Sequence, residues 1–137
     1  MVDKIFHIHS GLWIAVLFSI GFTAIYFFLQ QKAKSPYKKF HEVICRVNIG
    51  IVHLQMMLGV IVMTHSPFVT SDFNKSYKAL YFTVLHPLLM LASVVFVTLS
   101  LILVRKLNDD DKKHRRTFLF NLIALFLLIV AITAMPK

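Results

Sequence analysis

Four long apolar runs alternate with short polar segments along this chain. The runs cover residues 5–29, 43–64, 80–104 and 118–135, and charged residues almost vanish inside them. Each run is close to the ~20 residues that an α-helix needs to cross a hydrocarbon core about 30 Å thick. Because the bilayer core offers no water to backbone polar groups, continuous runs of this length indicate helices and not barrel strands. The pattern predicts an all-α integral membrane protein with four spanning helices.

The polar segments between the runs are short. They cover residues 30–42, 65–79 and 105–117, which favours an antiparallel four-helix bundle in which neighbouring helices follow each other in sequence. We therefore expect residues 1–137 to form a single transmembrane domain. The first run is too long for the apolar part of a typical signal peptide and has no small-residue cleavage site after it, so it is interpreted as a retained helix.

Composition supports this assignment. Hydrophobic residues make up 58% of the chain and the mean hydropathy is +0.73. Soluble domains are roughly 45–50% apolar by a similar count, so a soluble fold is excluded.

The distribution of basic residues predicts an orientation. Of the 15 Lys and Arg residues, 11 lie in or beside the first and third polar segments, and the formal net charge is +9. The positive-inside rule then places those two segments in the cytoplasm and both termini on the outer, periplasmic side. In this setting the cations orient the chain and meet anionic headgroups. The lipid bilayer is therefore the expected partner, and nucleic-acid binding is not expected.

Motifs for common enzyme chemistry do not occur. The chain has neither a P-loop nor a GxGxxG, HExxH or Ser-His-Asp pattern. Cys45 is the single cysteine, so no internal disulfide can form, and the CxxCH motif of covalent haem attachment is also missing. Enzymatic chemistry is therefore not indicated by any motif.

Seven histidines are the most informative polar residues. Five lie in the predicted outer half or at its edge, and His41 and His114 lie at the cytoplasmic boundary. The spans contain no Asp or Glu to pair with a buried imidazole, and neutral imidazole is a good metal ligand. His9, His53 and His86 are therefore candidate ligands. The alternative is that polar side chains only form hydrogen bonds between helices, and this is the preferred interpretation of Asn48, Thr83, Ser93, Ser100 and Asn121.

The remaining choice of ligand for these histidines is between a bare metal ion and a haem. A zinc site needs three or four converging ligands, whereas a haem needs one or two histidines and a slot that the Phe and Met residues could line. His9 with His86 is the first choice of axial pair, and His53 with His86 is the second. Gly50, one turn before His53, would leave room for a neighbouring backbone or a flat ligand. The His41 and His114 pair is a further possible site.

Four segments carry a resemblance to a known family. The strings FHIHSGLW, VHLQMMLG, LHPLLM and KKHRRTFLFNLIALFLL resemble, in order and spacing, the small four-helix bacterial membrane proteins loosely labelled "cytochrome b". One departure is Leu85, where the family has an acidic residue before the His-Pro pair. The family's conserved positions fall on His9, His53, Gln55, His86, Pro87 and His114, and His7 also fits its start.

The resemblance implies b-type haem and electron transfer in the bacterial inner membrane. The resulting interpretation is a multi-pass, haem-b-binding subunit that transfers electrons between quinone and a partner redox protein. One alternative is a cofactor-free accessory subunit that packs against other membrane subunits of a larger complex. Another is a transition-metal site or transporter built from His7, His9, His65 and His86.

Overall fold

Four helices, each long and apolar enough to cross a membrane, make up nearly all of this computed structural model. The structure describes residues 2–67, 69 and 72–136. We number the helices α1 (Val2–Lys32), α2 (Lys39–His65), α3 (Tyr77–Val104) and α4 (Asp110–Thr133). A short 3₁₀ turn, Phe73–Lys75, precedes α3. The prediction of an all-α protein with four membrane-length helices is confirmed.

The helices form an antiparallel bundle in sequence order. α1 packs against α2 and α4, and α3 packs against α2 and α4, so α1 and α3 lie diagonally across the bundle. Residues 33–38 and 105–109 lie at one end, which we call the basic-loop end. The start of α1, the segment between α2 and α3, and the end of α4 lie at the other, which we call the terminus end.

The fourth helix begins earlier than the apolar run predicts. It starts at Asp110, eight residues before the run at 118–135, because Asp109 caps it. The Asp109 carboxylate accepts a 3.0 Å hydrogen bond from the backbone N–H of Lys112, and Asp110 and Asp111 in the first turn interact favourably with the helix dipole. Hydropathy reports the membrane-crossing part of a helix, whereas capping decides where the helix begins.

α1 ends through a backbone motif near the basic-loop end. Lys34 adopts a left-handed conformation with φ of 49°. The N–H of Lys34 donates to the carbonyl of Gln31 at 3.0 Å and that of Ser35 to Gln30 at 3.2 Å, the pairing that terminates many helices. This turn brings residues 35–38 back over the bundle.

The middle of the bundle combines an apolar core with one polar chain. The core consists of Val16, Ile20, Val52, Val94, Val97, Ala124 and Leu128. Beside it, the Ser19 hydroxyl donates to Asn48 Oδ1 at 2.7 Å, and Asn48 Nδ2 donates to Asn121 Oδ1 at 2.8 Å. The expectation that Asn48 and Asn121 join helices is confirmed.

Candidate functional site

The structure brings His9 and His86 together near the terminus end. His9 lies on α1 and His86 on α3, the two diagonal helices. Their ring centroids are 6.4 Å apart and the ring planes cross at 86°. Both residues are partly buried. The first choice of ligand pair from the sequence is therefore a contact pair in the fold.

An irregular turn of α3 positions His86. Residues Tyr81–Leu85 form a π-helical turn, followed directly by His86 and Pro87. Proline has no N–H to donate, and a wide turn before it accommodates that loss without ending the helix. Because Pro87 lacks a backbone N–H, the sequence predicts a bend of this helix near Thr83, and the structure has the irregular π turn there.

Tyr81 supports the His86 ring from inside this turn. It is fully buried, and its hydroxyl donates a short hydrogen bond to the carbonyl of Ala131 on α4. The same hydroxyl lies 3.3 Å from His86 Nδ1. Because its proton is engaged by Ala131, its oxygen is free to accept from the Nδ1–H of His86. That hydrogen bond selects the tautomer whose Nε2 carries a free lone pair, the form that binds a metal.

Two residues of α2 hold His9. The Gln55 Nε2 group donates a 3.0 Å hydrogen bond to the backbone carbonyl of His9. Gly59, one turn further on, lies against the ring, and a Cβ there would come within 3.0 Å of His9 Cε1. His9 Nδ1 and Gln55 Oε1 are buried without a hydrogen-bond partner among the described residues. Buried polar atoms are normally paired, so these two atoms are available to a further group.

His9 and His86 are the residues that would hold a metal-bearing group at this site, since two imidazoles from different helices are in ring contact here. Within the described part of the chain, no three His, Cys, Asp or Glu residues come together in a metal-binding group. The pair therefore offers two imidazole donors at one place in the bundle.

Two surface concavities lie elsewhere, between α1 and α4 and along α4, and neither is lined by His9 or His86.

The other outer histidines lie apart from this pair. His53 is partly exposed, and its Nδ1 bonds to the carbonyl of Ile49 on its own helix at 2.9 Å. His7 and His65 are exposed, and His65 Nδ1 lies 3.0 Å from the carbonyl of Ile61. The structure brings none of the three to the pair. Gly50, expected to leave room for a neighbouring backbone or a flat ligand, faces open space, since a Cβ there would meet nothing within 4 Å.

A second pair of histidines closes the basic-loop end. His41 is 5% exposed and His114 is fully buried, with ring centroids 5.0 Å apart. Tyr37 packs on both rings at 5.1 and 5.3 Å, and Phe27 closes the cluster from α1. The second histidine pair that the sequence indicated is thus also a contact pair in the fold.

Backbone partners select complementary tautomers in this second pair. The N–H of Lys38 donates to His41 Nδ1 at 2.8 Å, which leaves the proton of neutral His41 on Nε2. His114 Nε2 donates to the carbonyl of Ser35 at 3.0 Å, which leaves Nδ1 as an acceptor. His41 Nε2 and His114 Nδ1 are both buried and make no hydrogen bond with described residues. One is a donor and the other an acceptor, so a single water molecule could bridge them.

Tyr37 completes this cluster from the loop. Burial raises the pKa of its hydroxyl above the usual value of 10, and the neighbouring Cys45 and Glu42 raise it further. The phenol therefore stays neutral in the folded protein. Lys113 lies over its ring, with Nζ 5.2 Å from the ring centroid. The cluster ties the loop of residues 33–38 to α2 and α4.

Sequence reasoning missed Tyr81 and Gly59 as parts of the first site. Tyr81 is five residues before His86, a spacing that shares a face in a π turn but not in a regular α-helix. Gly59 is four residues after Gln55, so the two share one face of α2. Two signals could have indicated which face of α2 meets His9. One is this spacing, and the other is that Gln55 lies on the opposite face of the helix from His53.

Comparisons with protein families, with curated proteins and with solved structures gave no match to this chain.

Proposed function

We propose that this chain is a haem-b-binding membrane subunit that transfers electrons, and that His9 and His86 would hold the haem iron. The observation that carries the proposal is that the fold brings the two imidazole rings together, with their centroids 6.4 Å apart. Two histidine ligands would leave no iron position for oxygen, which favours electron transfer over oxygen chemistry. Quinone and a partner redox protein are the proposed donor and acceptor.

The surrounding residues support the ligand roles. Tyr81 accepts from His86 Nδ1 and so directs its Nε2 lone pair away from α3's own backbone. Gly59 and Gln55 fix the depth and orientation of the His9 ring without competing for its nitrogens. A bound haem would supply the one-electron chemistry, while the chain supplies two neutral imidazoles and an apolar setting.

Absorption spectroscopy tests this proposal directly. The purified protein in detergent should show a strong Soret band, and α and β bands that sharpen after reduction with dithionite. His9→Ala and His86→Ala should each lose haem, while His7→Ala and His65→Ala, matched exposed histidines at the same end, should retain it. His53→Ala distinguishes the second choice of ligand pair, because full haem retention in this variant excludes His53 as a ligand.

A cofactor-free accessory subunit is the second candidate. It is favoured by the backbone hydrogen bonds of the other histidines, such as His53 and His114. Under this proposal the chain packs in a larger membrane complex and the imidazoles join helices. A colourless protein without bound iron, purified from cells supplied with haem precursors, would favour this candidate and exclude the first.

We further propose that the protein lies in the bacterial inner membrane with both termini in the periplasm. The support is charge: Lys38, Lys39, Arg105 and Arg115 are exposed at the basic-loop end, and cytoplasmic loops are enriched in such residues. Reporter fusions test the orientation. Alkaline phosphatase should be inactive when fused within residues 33–38 and active when fused after residue 136, and the opposite pattern would reverse the topology.

A further inference from the structure

A groove on the lipid-facing side of the bundle separates α1 from α4. Its volume is about 260 Å³, and every residue that lines it is apolar. Gly21 and Ala24 form its floor on α1, and Leu122 forms part of its wall on α4. A Cβ on Gly21 would meet nothing within 4 Å. The small residues thus leave an open apolar recess on the surface of the bundle.

Cations lie where this groove approaches the basic-loop end. Phe28 and Phe118 line it there, with ring centroids 5.2 Å apart. Lys32 Nζ lies 5.5 Å from the centroid of the Phe28 ring. Arg115 precedes Phe118 by three residues, one turn closer to the basic-loop end, and it lines the neighbouring concavity along α4 with Lys112 and Arg116. Lys32 and Arg115 are exposed, and neither forms a salt bridge with a described residue.

We propose that this groove binds one anionic phospholipid, with an acyl chain along Gly21 and the phosphate beside Lys32 and Arg115. The apolar lining fits a hydrocarbon chain, and the two unpaired cations complement an acidic headgroup. Anionic headgroups gain roughly fivefold in binding for each nearby Lys or Arg. The site is independent of the haem proposal, since it lies at the opposite end of the bundle from His9 and His86.

A second copy of this chain is the competing occupant, and charge disfavours it. Two copies in one membrane share the same orientation, so a two-fold contact through this groove would place Lys32 and Arg115 of both copies side by side. Asp111, one turn from Arg115, is the acidic residue on that side of α4. Four cations meeting near so few carboxylates would repel each other, whereas a phosphate would neutralise them.

Native mass spectrometry of the full chain in detergent tests the proposal. Phosphatidylglycerol and phosphatidylcholine with identical oleoyl chains would be titrated separately, so that only the headgroup differs. We expect one phosphatidylglycerol molecule to be retained at a concentration several times lower than phosphatidylcholine. Equal retention of the two lipids would overturn the headgroup assignment.

Two variants with matched controls locate the site. Gly21→Leu should fill the groove and lower retention of both lipids, whereas Gly50→Leu, at an equally open glycine of α2, should not. Lys32→Gln with Arg115→Gln should lower phosphatidylglycerol retention roughly tenfold and leave phosphatidylcholine unchanged. Lys39→Gln with Lys106→Gln, two exposed cations at the same end but away from the groove, should behave like the wild type.

Three results would overturn the proposal. The first is that Gly21→Leu retains both lipids as the wild type does. The second is that Lys32→Gln with Arg115→Gln, the charge variant, keeps the wild-type preference between the lipids. The third is that the wild type is a dimer which Gly21→Leu converts to a monomer without changing lipid retention. The third result would assign the groove to a contact between two copies. The charge variant alters exposed side chains alone, so it tests the site even if Gly21→Leu fails to fold.

Discussion

Gly59 of α2 lies against the imidazole of His9 on α1 so closely that a Cβ at this position would come within 3.0 Å of Cε1. Such a distance is tighter than most carbon–carbon contacts, so the His9 ring would have to shift by a few tenths of an ångström. The position of His9, and with it the distance to His86, therefore depends on the absence of a side chain at residue 59.

Substitution of this glycine tests the dependence. Gly59→Ala should displace the His9 ring, lower haem retention and lower the unfolding midpoint. Gly50→Ala is the control, because its new methyl group meets nothing within 4 Å. Alanine favours a helix over glycine by about 1 kcal/mol, so the control should unfold at an equal or higher midpoint. Equal behaviour of the two variants in absorption and thermal unfolding would contradict the close contact.

Tyr81 should affect the electronic properties of His86 as well as its position. Tyr81→Phe removes the hydroxyl that donates to Ala131 and accepts from His86 Nδ1. Loss of the second hydrogen bond makes the imidazole a weaker electron donor, so the reduction potential of a haem bound to His86 should rise. Potentiometric titration measures this shift. A change in unfolding midpoint with no change in potential would show that Tyr81 only anchors α3 to α4.

The hydrogen bond between Asn48 and Asn121 should stabilise the middle of the bundle. Asn48→Leu leaves Asn121 Oδ1 without its 2.8 Å donor, and Asn121→Leu leaves Asn48 Nδ2 without its acceptor. Each single variant should lose about 1–2 kcal/mol of unfolding free energy, measured by titration from mild detergent into SDS. The double variant should lose less than the sum of the two losses, because neither unpaired partner remains. Strict additivity would show that the two amides do not interact.

His114 should contribute to stability and not to haem binding. Its ring is fully buried against Phe27 and Tyr37, so His114→Ala should leave a cavity and lower the unfolding free energy by more than about 2 kcal/mol. The haem absorption bands of the folded fraction should stay unchanged. His65→Ala, at an exposed position, is the stability control. A loss of the Soret band in folded His114→Ala would instead place this residue among the ligands.

The buried hydroxyl of Tyr37 predicts a loss of stability at high pH. Because its pKa is raised in the folded protein, the unfolded chain releases this proton first. The stabilisation of the folded state by the neutral Tyr37 phenol is fully present below the unfolded pKa of about 10. It is lost as pH rises above that value. Tyr37→Phe cannot ionise, so its unfolding midpoint should fall less between pH 9 and pH 11. Parallel curves for the two proteins would show that the phenol is not protected from ionisation.

Several features were predictable from the chain alone because they depend on length and composition. Apolar runs long enough to cross a bilayer predicted four helices, and short connections predicted their antiparallel order. The residue counts along each run placed His9 and His86 at similar depth, since every helical residue advances about 1.5 Å. The proline after His86 predicted the irregular turn.

The rotation of each helix about its own axis was decided only by the tertiary structure. A membrane helix is apolar on nearly every side, so hydrophobic periodicity barely distinguishes the face that meets other helices from the face that meets lipid. In α2 the buried face carries Cys45, Asn48, Val52 and Gln55, while His53 and Gly50 lie on a more exposed face. Close packing of small residues and hydrogen bonds between buried polar groups select that rotation, and both require the neighbouring helices to be in place.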